Sequence, residues 1–248
     1  MTTARRTLPL APTLALALSL PALAGGFLPP IEDAPLASAS VLTADGRWLH
    51  GEISTRSTNS HGITRITLRE ADGTRHKLDA KRIERIVAPL GKLARMTVAS
   101  ESSSTIEKAV RTDWDRLHAA TEVVFDAVAW PDPEDRVLMQ RVNPGFDHRI
   151  RVYSHPNWKE GTTSIGGVAV AGDEPNAFVV VREGGAPVKV SKRNYDDRFA
   201  ELYGDCPEFV ASVPEKAREF RDFADQLLAY DQRCVPQEAA RGAAPEPE

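Results

Sequence analysis

The sequence predicts an α+β fold: a small N-terminal β-meander or SH3-like barrel, followed by an antiparallel sheet with C-terminal helices. Three observations predict it. Short alternating apolar–polar runs fill residues 40–98 and are split by Asp45-Gly46 and Asp72-Gly73; Asp-Gly between such runs marks a tight hairpin. A second series, "EVVFDAVAW", "DRVLMQRV", "HRIRVYS", "GGVAVAG", "AFVVVRE" and "APVKVS", is divided by "PDPED", Asn143-Pro144-Gly145, "DEPN" and "GG", which predicts about six antiparallel strands. The spacing then changes. In "EKAREFRDFADQLLAY" the apolar residues Phe220, Phe223, Ala224, Leu227 and Leu228 recur at the period of an amphipathic helix.

In chain order, residues 1–24 read "MTTARRTLPLAPTLALALSLPALA". Arg5 and Arg6, an apolar run and the small-x-small triplet Ala22-Leu23-Ala24 make a secretory signal, with cleavage expected after Ala24. The rival, an uncleaved anchor, is opposed by the run from Leu8 to Leu20, which holds Pro9 and Pro12 and is short for a bilayer. Residues 25–39, rich in Pro, Gly and Ala, are expected to be a flexible arm. Residues 40–98 form the small β module, with Ile63, Ile66 and Leu68 on one inward face and Leu78, Ile83 and Ile86 on another edge of the core. Residues 99–109 read as a linker, with a short helix expected over about 106–120 carrying Val110, Trp114 and Leu117 on one side. Residues 110–236 supply the antiparallel sheet and helices over Asn194–Tyr203 and Pro214–Tyr230; residues 237–248 have the composition of a disordered tail. Trp48 and Trp130 sit within strand patterns and are expected in the core.

Charge and cysteines place the chain. Formal net charge is −4, and cleavage removes two arginines and no acid, giving −6. With no basic cluster left to neutralise phosphates, nucleic acid is excluded as a partner. No later apolar run reaches the length of a membrane span, so no stable span is expected after cleavage. The destination is periplasmic or secreted. In such a compartment two cysteines pair, and Cys206 and Cys234 are the two in the chain. Cys206 lies before a helix start with Pro207 at the first helical position, and Cys234 follows the amphipathic stretch. A bridge would tie the exit of that helix to the turn before the preceding one. A reactive thiol would want a histidine, and none follows His155; a zinc site would want CxxC spacing.

A resemblance follows from "ADGRWLHGEI", "ITLREADG", "RVNPGFDHRIRVY", "AFVVVREGGAPVKV" and "LYGDCPEF" ahead of a terminal helix ending in Tyr230. In that order these resemble a set of secreted bacterial proteins of unknown function, over most of residues 40–231. The resemblance implies export and a two-part architecture, and transfers no catalytic residue or ligand.

Candidate chemistry concentrates in residues 143–167, which collect Asp147, His148, His155, Trp158, Lys159, Glu160 and Ser164. Ser164 lacks the Gly-x-Ser-x-Gly elbow of a serine hydrolase. His148 and His155 are seven residues apart, which puts them on opposite faces of a regular strand. Asp132, Glu134 and Asp135 are hard-oxygen donors for calcium, but they lack a twelve-residue loop and read more simply as an acidic turn. "SIGGVAVAG" has no phosphate-binding glycine pattern. No catalytic residue, metal ligand or cofactor is assigned. The expectation is an exported, non-catalytic binding or envelope-assembly protein that meets an envelope protein or glycan through His155, Trp158 and Lys159, since loops on a rigid sheet commonly carry recognition. The alternative is an envelope hydrolase acting on peptidoglycan, peptide or glycan.

Overall fold

The computed structural model describes residues 26–28, 30, 36–90, 121–155, 163–165, 168–170 and 177–235. Residues 1–24, expected to be a signal sequence, the expected linker at 99–109, the helix expected over 106–120, Trp158, Lys159 and the expected tail at 237–248 lie outside these residues.

Five strands come from the Asp-Gly region: β1 (Leu36–Thr43), β2 (Trp48–Thr58), β3 (Ile63–Arg69), β4 (Arg75–Asp79) and β5 (Ile83–Pro89). Two more, β6 (Glu122–Ala129) and β7 (Arg136–Gln140), join the same antiparallel sheet in the order β2-β1-β5-β6-β7-β3-β4, with β2 also paired to β3. Six strands thus close into a barrel, with β4 attached outside β3. The alternating pattern decides which side chains fill it. Val41 pairs with both Leu49 and Ile86, and these point inward with Ile53, Ile66, Leu68, Phe125 and Leu138. At the β1–β2 turn the Thr43 amide donates to the Arg47 carbonyl at 2.9 Å, and Gly46 takes φ +82°, a conformation that favours glycine.

The division expected at residues 99–109 does not separate two sheets. A meander of β1 to β5 leaves the unpaired edge of β5 open, and open edges are a pairing hazard. β6 covers that edge from Arg85↔Asp126 to Pro89↔Glu122, and β7 reaches β3 at Ile63↔Leu138. The expected six-stranded second sheet therefore loses two strands to the barrel. What remains is a three-stranded sheet in the order β12-β11-β8, made of β8 (Ile150–Tyr153), β11 (Ala177–Arg182) and β12 (Val188–Ser191). A separate ribbon pairs β9 (Thr163–Ile165) with β10 (Val168–Val170).

Three helices pack on this second sheet: α1 (Tyr195–Tyr203), α2 (Pro207–Ser212) and α3 (Phe223–Cys234). Their aromatic residues Tyr195, Phe199, Tyr203, Phe209, Phe223 and Tyr230 are buried against Val152, Phe178, Val180 and Val190. Pro207 opens α2 as expected. The last helix begins later than its apolar spacing suggests, at Phe223 rather than Pro214. Glu219 is extended (φ −98°, ψ 139°), and two short 3-10 turns precede the helix. Arg218 is held there by its donation to the Val213 carbonyl at 3.3 Å and by its position over the Phe199 ring. Tertiary contacts win over local period at this point.

The "NPGF" motif proves to be structural. Asn143 is fully buried; its amide donates to the Phe146 and Ile150 carbonyls at 3.0 and 2.8 Å, and its oxygen accepts from the Val152 amide at 2.8 Å. One side chain thereby satisfies three backbone groups that would otherwise be buried unpaired.

Two further expectations are corrected. Residues 26–28 are docked rather than part of a loose arm: Leu28 is buried and its amide donates to the Val142 carbonyl at 2.7 Å, while Phe27 meets Phe178 and Phe223 edge-on. β1 likewise begins at Leu36, inside the expected arm. Trp48 is 49% exposed instead of core. Its neighbour Leu49 is the residue that packs on the barrel interior, so strand alternation turns the indole outward. Trp130 is partly buried, against the seam between barrel and second sheet.

Candidate functional site

The two units meet where the outer face of the barrel lies against the second sheet. Val128, Val137 and Met139 from the barrel pack there on Tyr153 and Val179. Beside this seam runs a row of side chains fixed by strand register. Trp48 is opposite Leu42, Leu42 is opposite Arg85, and Arg85 is opposite Asp126. Directly opposed residues on neighbouring strands share a face, so the four stand side by side on the barrel exterior.

Asp126 is the hub of the row. Its carboxylate accepts from Arg85 Nε at 2.8 Å, from Arg141 Nε at 2.8 Å and through Arg141 Nη2, and from the Tyr153 hydroxyl at 3.0 Å. Arg141 also reaches Asp147. Burial alone would push the Asp126 carboxyl upward, but Arg141 and Arg85 outweigh it and hold the group below the usual carboxylate range. The Tyr153 phenol moves the other way: burial and the nearby Asp126 charge raise it well above its ordinary value. A buried carboxylate in this setting is ionised and fully bonded, which suits a structural clamp better than a proton-transfer group.

A cleft of about 360 Å³ opens next to the clamp, lined by Leu42, Glu84, Arg85, Asp126 and Val128 of the barrel and by Arg151, Tyr153, Val181 and Pro187 of the second sheet, with Arg136 at its end. Arg136 also lines a second cleft of about 410 Å³, bounded by His61, Arg65, Asp79, Lys81, Trp130 and Asp135.

The residues anticipated from the sequence are dispersed. His155 is 5% exposed, and its ring lies edge-on to His61 with centroids 5.9 Å apart. Burial, then the proximity of His61 and Lys189, lowers its pKa to about 4. It is an interior group and does not offer its ring to a partner, contrary to the expectation. His148 Nδ1 instead bonds Asp231 of α3 at 2.8 Å, so the two histidines have different partners and do not converge. Burial raises the Asp231 carboxyl despite that contact. Asp132 and Asp135 close the β6–β7 turn through backbone bonds, the Asp135 amide donating to Asp132 at 3.0 Å.

Cys206 and Cys234 are joined, with Cα atoms 6.0 Å apart. Glu208 lies close to both sulfurs, but a disulfide leaves no thiolate to ligate a metal. Asp205 beside the bridge accepts from Tyr230, from Arg149 at 2.6 Å and from Arg182 at 2.8 Å. Burial pushes this carboxyl upward, but the Tyr230 and Arg149 hydrogen bonds together with Arg182 outweigh it and leave the group below its ordinary value. The group locks the α1–α2 turn to β8 and β11.

The clamp around Asp126 was not anticipated from the sequence. Its signal was present: Asp126 and Arg141 are single charges interrupting the apolar runs "EVVFDAVAW" and "VLMQRV". A lone acid and a lone base in consecutive apolar strands are a buried ion pair in waiting.

Among the described residues no helix is long and apolar enough to cross a membrane. No protein-family model, curated protein or solved structure matches the chain.

Proposed function

We propose that the protein is an exported, periplasmic or secreted, binding protein that holds an envelope component in the cleft between the barrel and the second sheet. The observation that carries this reading is the shared lining of the cleft: Arg85 and Leu42 come from one unit, and Arg151, Val181 and Pro187 from the other. Sites formed between packed units are common positions for ligands, and the volume is in the range that suits a small molecule or a short segment of a larger one. Trp48 supports it. An indole 49% exposed, directly opposite the cleft residue Leu42 and so one strand away on the same face, offers an aromatic anchor beside the cleft, although it is not among the lining residues. The Cys206–Cys234 bridge supports export, because such bridges persist in oxidising compartments. The test is capture in the envelope. A photoactivatable residue at Pro187 should yield one discrete adduct, whereas the same residue at Lys77 on β4, which is not among the cleft residues, should not. Equal labelling from both positions, or none from Pro187, would refute the reading.

A hydrolase is the second reading, resting on His148 and Asp231, whose 2.8 Å contact has the geometry of a base and its orienting acid. It requires a turnover of peptidoglycan, peptide or glycan that His148→Ala abolishes.

A further inference from the structure

The chemistry of the cleft narrows what it would hold. Three guanidinium groups, Arg85, Arg136 and Arg151, line it, against two carboxylates, Glu84 and Asp126. The carboxylates are not equal counterweights. Asp126 is held from the protein side by Arg141, whose side chain is 10% exposed and is shared with Asp147, and from the cleft side by Arg85. The Arg85 side chain is 39% exposed and gives Asp126 its Nε, which leaves its two terminal amino groups uncommitted to that carboxylate. Arg136 meets Glu84 at 3.7 Å, too far for a hydrogen bond, and that carboxylate is 54% exposed. Arg151 is exposed and makes no ion pair among the described residues. It stands opposite Val181 on β11 and two residues from Tyr153 on β8, so it shares the sheet face that turns toward the barrel.

With three guanidiniums against two carboxylates the lining carries an excess of positive charge, and Leu42, Val128, Val181 and Pro187 add apolar surface to it. Planar guanidinium forks match oxyanions in two-pronged geometry, and they are less strongly hydrated than ammonium groups. We infer that the cleft is an oxyanion site: Arg136 and Arg151 grip a carboxylate or phosphate group of the ligand, Arg85 donates from a position fixed by Asp126, and the apolar part of the lining receives the ligand's adjoining body. The assignment rests on the binding reading above.

The experiment is calorimetric titration of the mature, disulfide-bonded protein with inorganic phosphate and, separately, with succinate, at constant ionic strength held by sodium chloride. Saturable binding of at least one probe is expected, and whichever binds more tightly names the source of the oxyanion. Arg151→Ala and Arg136→Ala should each weaken that binding at least about tenfold, which is about 1.4 kcal/mol. Arg151→Lys should recover part of it, and Arg75→Ala on β4 should change nothing. The three replaced side chains, Arg75, Arg136 and Arg151, are exposed or partly exposed, so a Tm close to that of the parent checks that folding is intact. No saturable binding, or equal weakening by Arg75→Ala, overturns the oxyanion assignment. The two readings then separate. A Pro187 adduct that persists unchanged in the Arg136→Ala/Arg151→Ala protein leaves binding standing and removes the oxyanion; saturable anion binding with no adduct does the reverse.

Discussion

Replacing Asp126 by alanine should be among the most destabilising single changes to the barrel. Asp126 is 6% exposed and accepts bonds from Arg85, Arg141 and Tyr153. Its loss leaves the Arg141 guanidinium buried with Asp147 as its remaining carboxylate, and leaves the Tyr153 hydroxyl without its acceptor. Breaking a buried pair by removing one partner costs roughly 3 to 5 kcal/mol. Because Asp147 still compensates part of the charge, the lower end applies, about 3 kcal/mol. The half-exposed Arg85 contact adds less than about 1 kcal/mol. For a domain of this size that loss lowers Tm by about 6 to 12 °C. The assay is urea unfolding of the disulfide-bonded protein at neutral pH, comparing Asp126→Ala, Arg141→Met and the double variant. The double variant should be clearly more stable than the sum of the single losses predicts, since neither Asp126 nor Arg141 is then left behind without the other; Asp147 still loses its guanidinium, so some loss remains. A single-variant loss below about 1 kcal/mol, or strict additivity, would show that the clamp does not hold the barrel to the second sheet.

Three other outcomes are expected. Cys206→Ser should cost on the order of 3 to 4 kcal/mol on the chain-entropy account, read as a lower Tm with the fold retained by circular dichroism; an unchanged Tm would contradict it. Gly51→Ala should destabilise strongly, because a Cβ there would lie 2.2 Å from the Arg69 carbonyl oxygen of the paired strand, and backbone cannot move aside as a side chain can; a neutral result would refute that close approach. His155 has a folded pKa lowered from 6.5 to about 4, so its neutral form is favoured by folding. Its contribution is fully present above about pH 6.5 and is lost as pH falls from there toward 4, by at most about 3 kcal/mol; His155→Gln should remove that part of the acid sensitivity, and an unchanged pH profile would count against burial of the ring.

The fold class was legible because it depends on local periodicity and turn chemistry. Asp45-Gly46 and Asp72-Gly73 announced their hairpins, and Ile66, Leu68, Ile83 and Ile86 are buried as the alternation requires. The bridge between Cys206 and Cys234 was legible from the count of two and from the oxidising compartment the sequence leads one to expect. Partition of strands between sheets was not. "EVVFDAVAW" reads the same whether it pairs with β5 or with β8, because its apolar residues are buried on both faces: Phe125 points into the barrel and Val128 into the seam. The exposure of Trp48 was hidden for a related reason, since alternation gives two faces and an aromatic residue suggests the wrong one. The cleft itself draws on residues from Leu42 to Pro187, and no local pattern joins residues that far apart. His155 illustrates the reverse error. A histidine in a polar, glycine-bearing stretch looked available, and packing against His61 placed it inside.

The central claim is that the cleft between barrel and second sheet is where the protein meets its ligand. Photo-cross-linking from Pro187 in intact envelopes tests it most directly, with Lys77 as the control position. The account predicts a single discrete adduct from Pro187 that is competed by the tighter-binding of phosphate and succinate, and none from Lys77. Labelling from Pro187 that is absent, or no different from that at Lys77, would contradict it.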